Sequence, residues 1–551
     1  MLAPLLAVLL VTGCPDRQAE PTTDKQEKAS VKAPAGDVVA LAQQGDAKAQ
    51  FNLGLMYATG EEVPQDFKQA LAWYRKAAEQ GDAGAQYNLG LMYYRGQGGP
   101  QDYKQAAAWY RKAAEQGDVQ AQFNLGLMHA TGQGLPEDFK QAFTWSSKAA
   151  EQGDAKAQSS LGLMYATGQG VSQDDKQAFA WYRKAAEQGE ANAQFNLGVM
   201  YDHGKGVPQD DQQAFTWYRK AAEQGDAGAQ YNLGLMYYRG QGVAQDFKQA
   251  AVWYRKAAEQ GDTHAQFNLG VMYYNGEGVP QDFKQALAWI SKAAEQGYAM
   301  AQNNLGVMNY RGQRVPQDFL QALAWYRKAA EQGYAKAQFN LGVMYERGEG
   351  VPQDDQQALV WYRKAAEQGD ADAQNNVGLM YYHGDGVPQD FKQALAWYRK
   401  AAEQGEVNAQ TSLGVMYEHG QGVPKDDQQA VAWYRKAAEQ GYAGAQTSLG
   451  VMYYRGDGVP KDFKQAAAWY RKAAEQGYAG AQTSLGMMYA SGQGVPKDVK
   501  QAYAWFSVAA ANGSGKAAEW RDAVAKELPP AALAAAQALA GRYFEQYPSK
   551  P

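Results

Sequence analysis

The residues first to be tested for chemistry are the five histidines, His129, His203, His264, His383 and His419. A zinc site needs three or four nitrogen, sulfur or oxygen ligands converging on one point. His383 and His419 stand 36 residues apart, with Asp385 and Glu418 beside them. Two imidazoles and one carboxylate fall short of a full ligand set, and no His-Glu-x-x-His spacing occurs. The five are therefore expected as solvated surface side chains, with no metal. Gly-x-Gly runs such as Gly132-Gln133-Gly134 suggest a phosphate cradle. That chemistry needs a strand before the glycines and a helix after them, whereas these runs close a helix. Glu79 and its counterparts lack a second carboxylate at a spacing unique to one place, as acid and base catalysis would require. No part of the chain breaks the pattern described next in a way that marks an active site. Neither a cofactor nor catalysis is expected.

The elements behind these residues are set by a repeat. Asp46 to Gln80, closed by Gly81, returns with small edits down the chain. Its tryptophan, Trp73, is followed by others every 36 residues to Trp505, which makes thirteen copies. A fixed period in this range marks a solenoid, in which each copy buries its apolar face only against its neighbours. Ala49, Leu53 and Met56 fall on one stripe of a first helix, with Asp46 as N-cap and Gly60 as stop. Asp66 caps a second helix whose buried stripe is expected to be Ala70, Trp73 and Ala77. Gly54 recurs mid-helix in every copy, where glycine costs about 1 kcal/mol relative to alanine. A closely approaching facing helix, covered by a ring such as Trp73, is the expected reason.

Ala49, Leu53-Gly54-x-Met56-Tyr57, Gly60, Val63-Pro64-x-Asp66, Ala70, Trp73-Tyr74 and Lys76-Ala77-Ala78 together resemble the Sel-one-like repeat, a relative of the tetratricopeptide repeat. The resemblance implies an all-α, right-handed superhelical solenoid over residues 46–513. It also implies a role as scaffold or adaptor in protein complexes, often in bacterial envelopes. A cysteine-rich secreted branch of the family, associated with β-lactam binding or hydrolysis, supplies an alternative. That branch ties its helices with disulfides, and here no copy contains a cysteine.

Formal net charge is −5, with 53 basic and 58 acidic residues interspersed. Nucleic acid binding needs a clustered positive footprint, so no nucleic acid partner is expected. Residues 1–14 carry an apolar run too short to span a bilayer, which reads as an export signal. Val11-Thr12-Gly13-Cys14 resembles a bacterial lipobox. That implies lipidation of Cys14, the only cysteine, and an envelope location facing the periplasm, the outer membrane favoured. Residues 15–36 read as a disordered tether, 37–45 as an N-terminal capping half-repeat and 514–551 as C-terminal capping helices.

Comparing the copies with one another locates candidate binding positions. Position 48 varies freely, from Lys48 and Gly84 to His264 and Met300, and is read as open surface. Position 51 is aromatic through most of the first seven copies: Phe51, Tyr87, Phe123, Phe195, Tyr231 and Phe267. The pairs Tyr94-Arg95 and Tyr238-Arg239 end the same helices. In tetratricopeptide-like folds the first helices line a concave groove, so these residues are candidates for contact with a protein or peptide. The other reading of the position-51 rings is packing between neighbouring copies. A monomer is expected.

Overall fold

The computed structural model describes residues 35–547, so Cys14 and the segments before residue 35 lie outside the described residues. It is an all-α solenoid of paired helices, with two thirteen-residue helices in each copy. In the first copy these are Ala47–Thr59 and Phe67–Glu79. The chain forms two compact units, one ending at Trp289 and the other beginning at Ile290.

The punctuation between helices follows from local chemistry. Asp46 accepts from the Ala49 amide at 2.7 Å, and Gly60 closes the helix in the left-handed region at φ 75°. Asp66 accepts from the Lys68 and Gln69 amides, satisfying two of the donors that a helix start leaves open. In four copies of the second unit, Tyr298, Tyr334, Tyr442 and Tyr478 stand where the first cap would be and make no side-chain cap bond.

Within the first unit, the core of each copy but the third is a layer of alanines around one aromatic ring. That ring is Tyr74 rather than Trp73. Tyr74 is buried, and an added Cβ on Gly54 would stand 2.7 Å from its Cδ1. The same ring-over-glycine contact joins Gly90 to Tyr110, Gly162 to Tyr182, Gly198 to Tyr218 and Gly234 to Tyr254. The expectation of a close approach at Gly54 therefore holds, but with the neighbouring residue supplying the cover. One residue is a 100° rotation of a helix. That turn takes Trp73 to the flank, where it is half-buried and packs against Ala42, Ala49 and Leu53. Its face carries the Lys76 ammonium 3.8 Å from the ring centroid.

A second feature of the core is polar. Gln50 is buried, donates to the Ala42 carbonyl at 3.1 Å, and accepts from the Gln80 amide at 2.8 Å. Gln80 also donates to the Gly45 carbonyl. Gln86, Gln122, Gln158, Gln194 and Gln230 repeat the bond to the preceding helix, each to the carbonyl eight residues earlier. Each of these glutamines thus ties its own copy to the helix before it. Replacing Gln230 with alanine leaves the Ala222 carbonyl and the Gln260 amide without this partner. A loss of about 1–3 kcal/mol is expected, read as faster amide exchange in the helices Ala227–Arg239 and Phe247–Glu259. Unchanged exchange there would show that water replaces the amide at no cost.

The ends are covered. A short helix, Ala35–Gln43, buries Ala42 against Ala49 and Leu53. At the other end, Tyr543 and Tyr547 of the last stretch lie 4.6 and 5.4 Å from the Trp505 ring, over buried Ala536 and Ala540. No described helix is long and apolar enough to cross a membrane.

Candidate functional site

The position-51 rings point into the space between helices. Phe51 lies 5.9 Å from Tyr74, Tyr87 5.8 Å from Tyr110, Phe195 5.9 Å from Tyr218 and Tyr231 5.8 Å from Tyr254. Phe51, Phe195 and Tyr231 are half-buried, so part of each ring reaches the surface, while Tyr87, Phe123 and Phe267 are buried. Burial pushes the Tyr87 hydroxyl up to about 12, so it stays neutral across the physiological range. Position 48 is less free than the copies suggest. A Cβ on Gly84 would stand 3.2 Å from the Phe51 ring, and one on Gly228 the same distance from Phe195. In those two places the small residue makes room for the preceding aromatic.

The Tyr-Arg pairs divide between tie and surface. Tyr94 donates to the Gln133 side chain at 3.0 Å, and Tyr238 to Glu277 at 2.9 Å, each reaching the loop of the next copy. Arg95 is half-buried and Arg239 is exposed. Among the described residues, no group of three or more His, Cys, Asp or Glu could hold a metal. His203 and His419 are exposed, each with Nδ1 against a backbone carbonyl of its own helix.

Repeat 3 departs from the pattern, contrary to the expectation that no copy does. His129 stands where its neighbours have Tyr93 and Tyr165, and Ser146-Ser147 where they have Tyr110-Arg111 and Tyr182-Arg183. His129 is not a solvated histidine: it is 7% exposed, and neither ring nitrogen has a hydrogen-bond partner. In several other copies the tyrosine at this place receives a bond from the preceding copy's arginine, as Tyr93 does from Arg75 and Tyr273 from Arg255. Burial lowers the His129 pKa, Arg111 lowers it further, and Asp138 opposes them. The unfolded chain takes up this proton near the ordinary value of about 6.5, the folded chain only at lower pH. Stability conferred by the neutral imidazole is therefore lost as pH falls below that ordinary value. His129→Tyr is expected to flatten the dependence of denaturation midpoint on pH between neutral and mildly acidic buffers. Parallel curves for both chains would refute this.

With this geometry established, the comparisons decide the family. The Sel1 repeat model matches thirteen consecutive segments, from 47–82 through 479–514. The chain belongs to the Sel1 repeat family. A solved protective antigen of uropathogenic Escherichia coli with an SLR fold is 40% identical to this Sel1 repeat chain, at a TM-score of 0.63. The match covers 87% of this chain and 95% of that one. A Sel1 repeat protein from Oxalobacter formigenes is 34% identical, over 68% of this chain and 99% of its own, at a TM-score of 0.44. Among curated proteins none matches. Sel1 repeat proteins are non-catalytic scaffolds with a general role in protein–protein interaction, and that is the class of this chain.

Proposed function

We propose that this Sel1 repeat chain is an interaction scaffold of the bacterial cell envelope, held by a lipid on Cys14 and facing the periplasm as a monomer. It captures a protein or peptide segment along the first helices of its repeats. The observation that carries the reading is the partial exposure of Phe51, Phe195 and Tyr231 beside the exposed Arg239, aromatic and guanidinium groups of the kind that anchor interfaces. Tyr94, Arg95 and Tyr238 complete the contact, while buried Tyr87, Phe123 and Phe267 hold it in shape. The likeness to a protective antigen of uropathogenic Escherichia coli supports placement in the envelope.

The test is capture by the immobilised mature chain from envelope extract, with Arg239→Glu and the combined Phe51→Ala, Phe195→Ala and Tyr231→Ala variant run beside it. A partner retained by the native chain and lost by both variants, with helical circular dichroism intact, is the expected result. Equal retention by all three chains would sink the assignment of these residues. Radiolabelled fatty acid incorporated by the native chain but not by Cys14→Ser would establish the anchor.

A further inference from the structure

Charges that alternate along the sequence are sorted in space. In the second unit, the second helices of five consecutive copies are Phe319–Glu331, Asp355–Glu367, Phe391–Glu403, Asp427–Glu439 and Phe463–Glu475. Each packs beside the one before it: Trp361 joins the buried cluster around Tyr326, Trp397 that around Tyr362, and Trp433 that around Tyr398. In the first of them Leu320, Ala324, Arg327, Lys328 and Glu331 are exposed, and their spacing puts them on one face. The same positions of the other four helices are exposed as well. Across the five they carry twelve cations and five glutamates, in a chain whose formal net charge is −5. An arginine–lysine pair stands in each, from Arg327-Lys328 to Arg471-Lys472. The other carboxylates of this stretch lie at helix starts, in loops and on first helices, as Asp318, Glu349 and Glu346 do.

The same face carries apolar side chains in water. Leu320 is 69% exposed and Val360, in the next copy, 44%. Arg327-Lys328 and Arg363-Lys364 stand one or two turns along from them. We propose that the second-helix face of this unit docks on an anionic lipid surface. The lysines and arginines meet the phosphates of the headgroups, and Leu320 and Val360 enter the boundary between headgroups and acyl chains. Cations beside exposed aliphatic groups are what a helix lying in a bilayer surface presents. A soluble polyanion would use the cations but leave both aliphatic side chains in water. No aromatic residue of the five helices is exposed to stack on a nucleic acid base. The contact lies away from the first-helix residues assigned to partner capture, and it needs no lipid on Cys14.

The test is co-sedimentation of the full chain with vesicles. It carries Cys14→Ser, so that attachment through a lipid at that place, which belongs to the envelope reading, is excluded as the cause. Vesicles of phosphatidylglycerol mixed with phosphatidylcholine are expected to bind it, more weakly as salt is raised, and phosphatidylcholine alone is expected to leave it in solution. Adding Arg363→Glu and Lys364→Glu together is expected to weaken binding at least tenfold. Adding Leu320→Gln and Val360→Gln, which leave the charge unchanged, is expected to weaken it about tenfold. Helical circular dichroism checks that each variant is folded. Equal binding to both kinds of vesicle, or undiminished binding by the charge-reversed chain, overturns the proposal. Duplex DNA bound as tightly by the Leu320→Gln, Val360→Gln chain as by its parent, with vesicle binding also unchanged, assigns the face to soluble polyanions and overturns it too. Should the charge-reversed chain fail to fold, binding that is indifferent to salt in the parent chain overturns it as well.

Discussion

Gly206→Ala is expected to be among the most damaging single changes of one small residue in this chain, costing about 2–5 kcal/mol from left-handed strain and overpacking combined. Gly206 sits in the loop after the first helix of repeat 5, at φ 69°, where a side chain is disfavoured for conformational reasons alone. The added Cβ would also stand 2.2 Å from the Asp175 carbonyl oxygen and 2.6 Å from its carbon. That carbonyl belongs to the first residue of the helix Asp175–Glu187, so the neighbour cannot swing aside as a side chain would. Gly225→Ala separates the two contributions. Gly225 has φ 100° with nothing within 4 Å of an added Cβ, and its loss is expected to stop at about 1–2 kcal/mol. Amide exchange in the helices on either side of each loop measures both. Equal losses at the two sites would show that the contact with Asp175 relaxes freely.

Tyr218→Ala should cost about 3–5 kcal/mol, the range for deleting a large buried ring. Tyr218 is 0% exposed, rests on Gly198, and donates to Asp202 at 3.4 Å. Burial, with Asp202 adding to it, holds the hydroxyl neutral far above its ordinary range, so no change of pH near neutrality rescues or worsens the defect. Trp217→Ala, at the half-buried flank, is expected to cost less, although tryptophan is the larger residue. Because stability in a repeat chain is a sum of local and neighbour contributions, the comparison belongs to exchange rates within repeat 5 rather than to one global midpoint. A larger loss at Trp217 would return the central place to the tryptophan.

The helices and their limits were legible because the copies repeat their caps: aspartate at 66 and glycine at 60 and 81 in all thirteen, and aspartate or glutamate at 46 in nine, each with a local hydrogen-bonding or conformational reason. Gly54 was legible as a close approach for the same reason. The identity of the covering ring was not, since Trp73 and Tyr74 are adjacent aromatics and hydrophobicity alone favours the wrong one. Their difference is an angle about the helix axis, which depends on how the two helices meet. Gln50 was missed because a polar residue beside Ala49 looks like the edge of an apolar stripe. Its presence in all thirteen copies was the available signal. Ser146 and His129 were visible as residue types found at their places in one copy only, while Ser147 recurs as Ser291 and Ser507, but attention to the positions that are held hid them. The candidate contact residues were legible as types and spacing. How much of each ring reaches the surface was not, because it depends on what stands at position 48 of the following copy.

The glutamine bonds have an implication for length. Gln86 reaches Ala78, and Gln122 reaches Ala114, by the same eight-residue step. If residues 83–118 were excised, Gln122 would find Ala78 where it had found Ala114, and no interior amide would be stranded. Copy number inside a stack can therefore drift by recombination in whole multiples of 36 without opening the seam, whereas a deletion of any other size leaves a dangling donor in the core. The gene can lengthen or shorten its product in fixed increments, and every product it makes is already sealed.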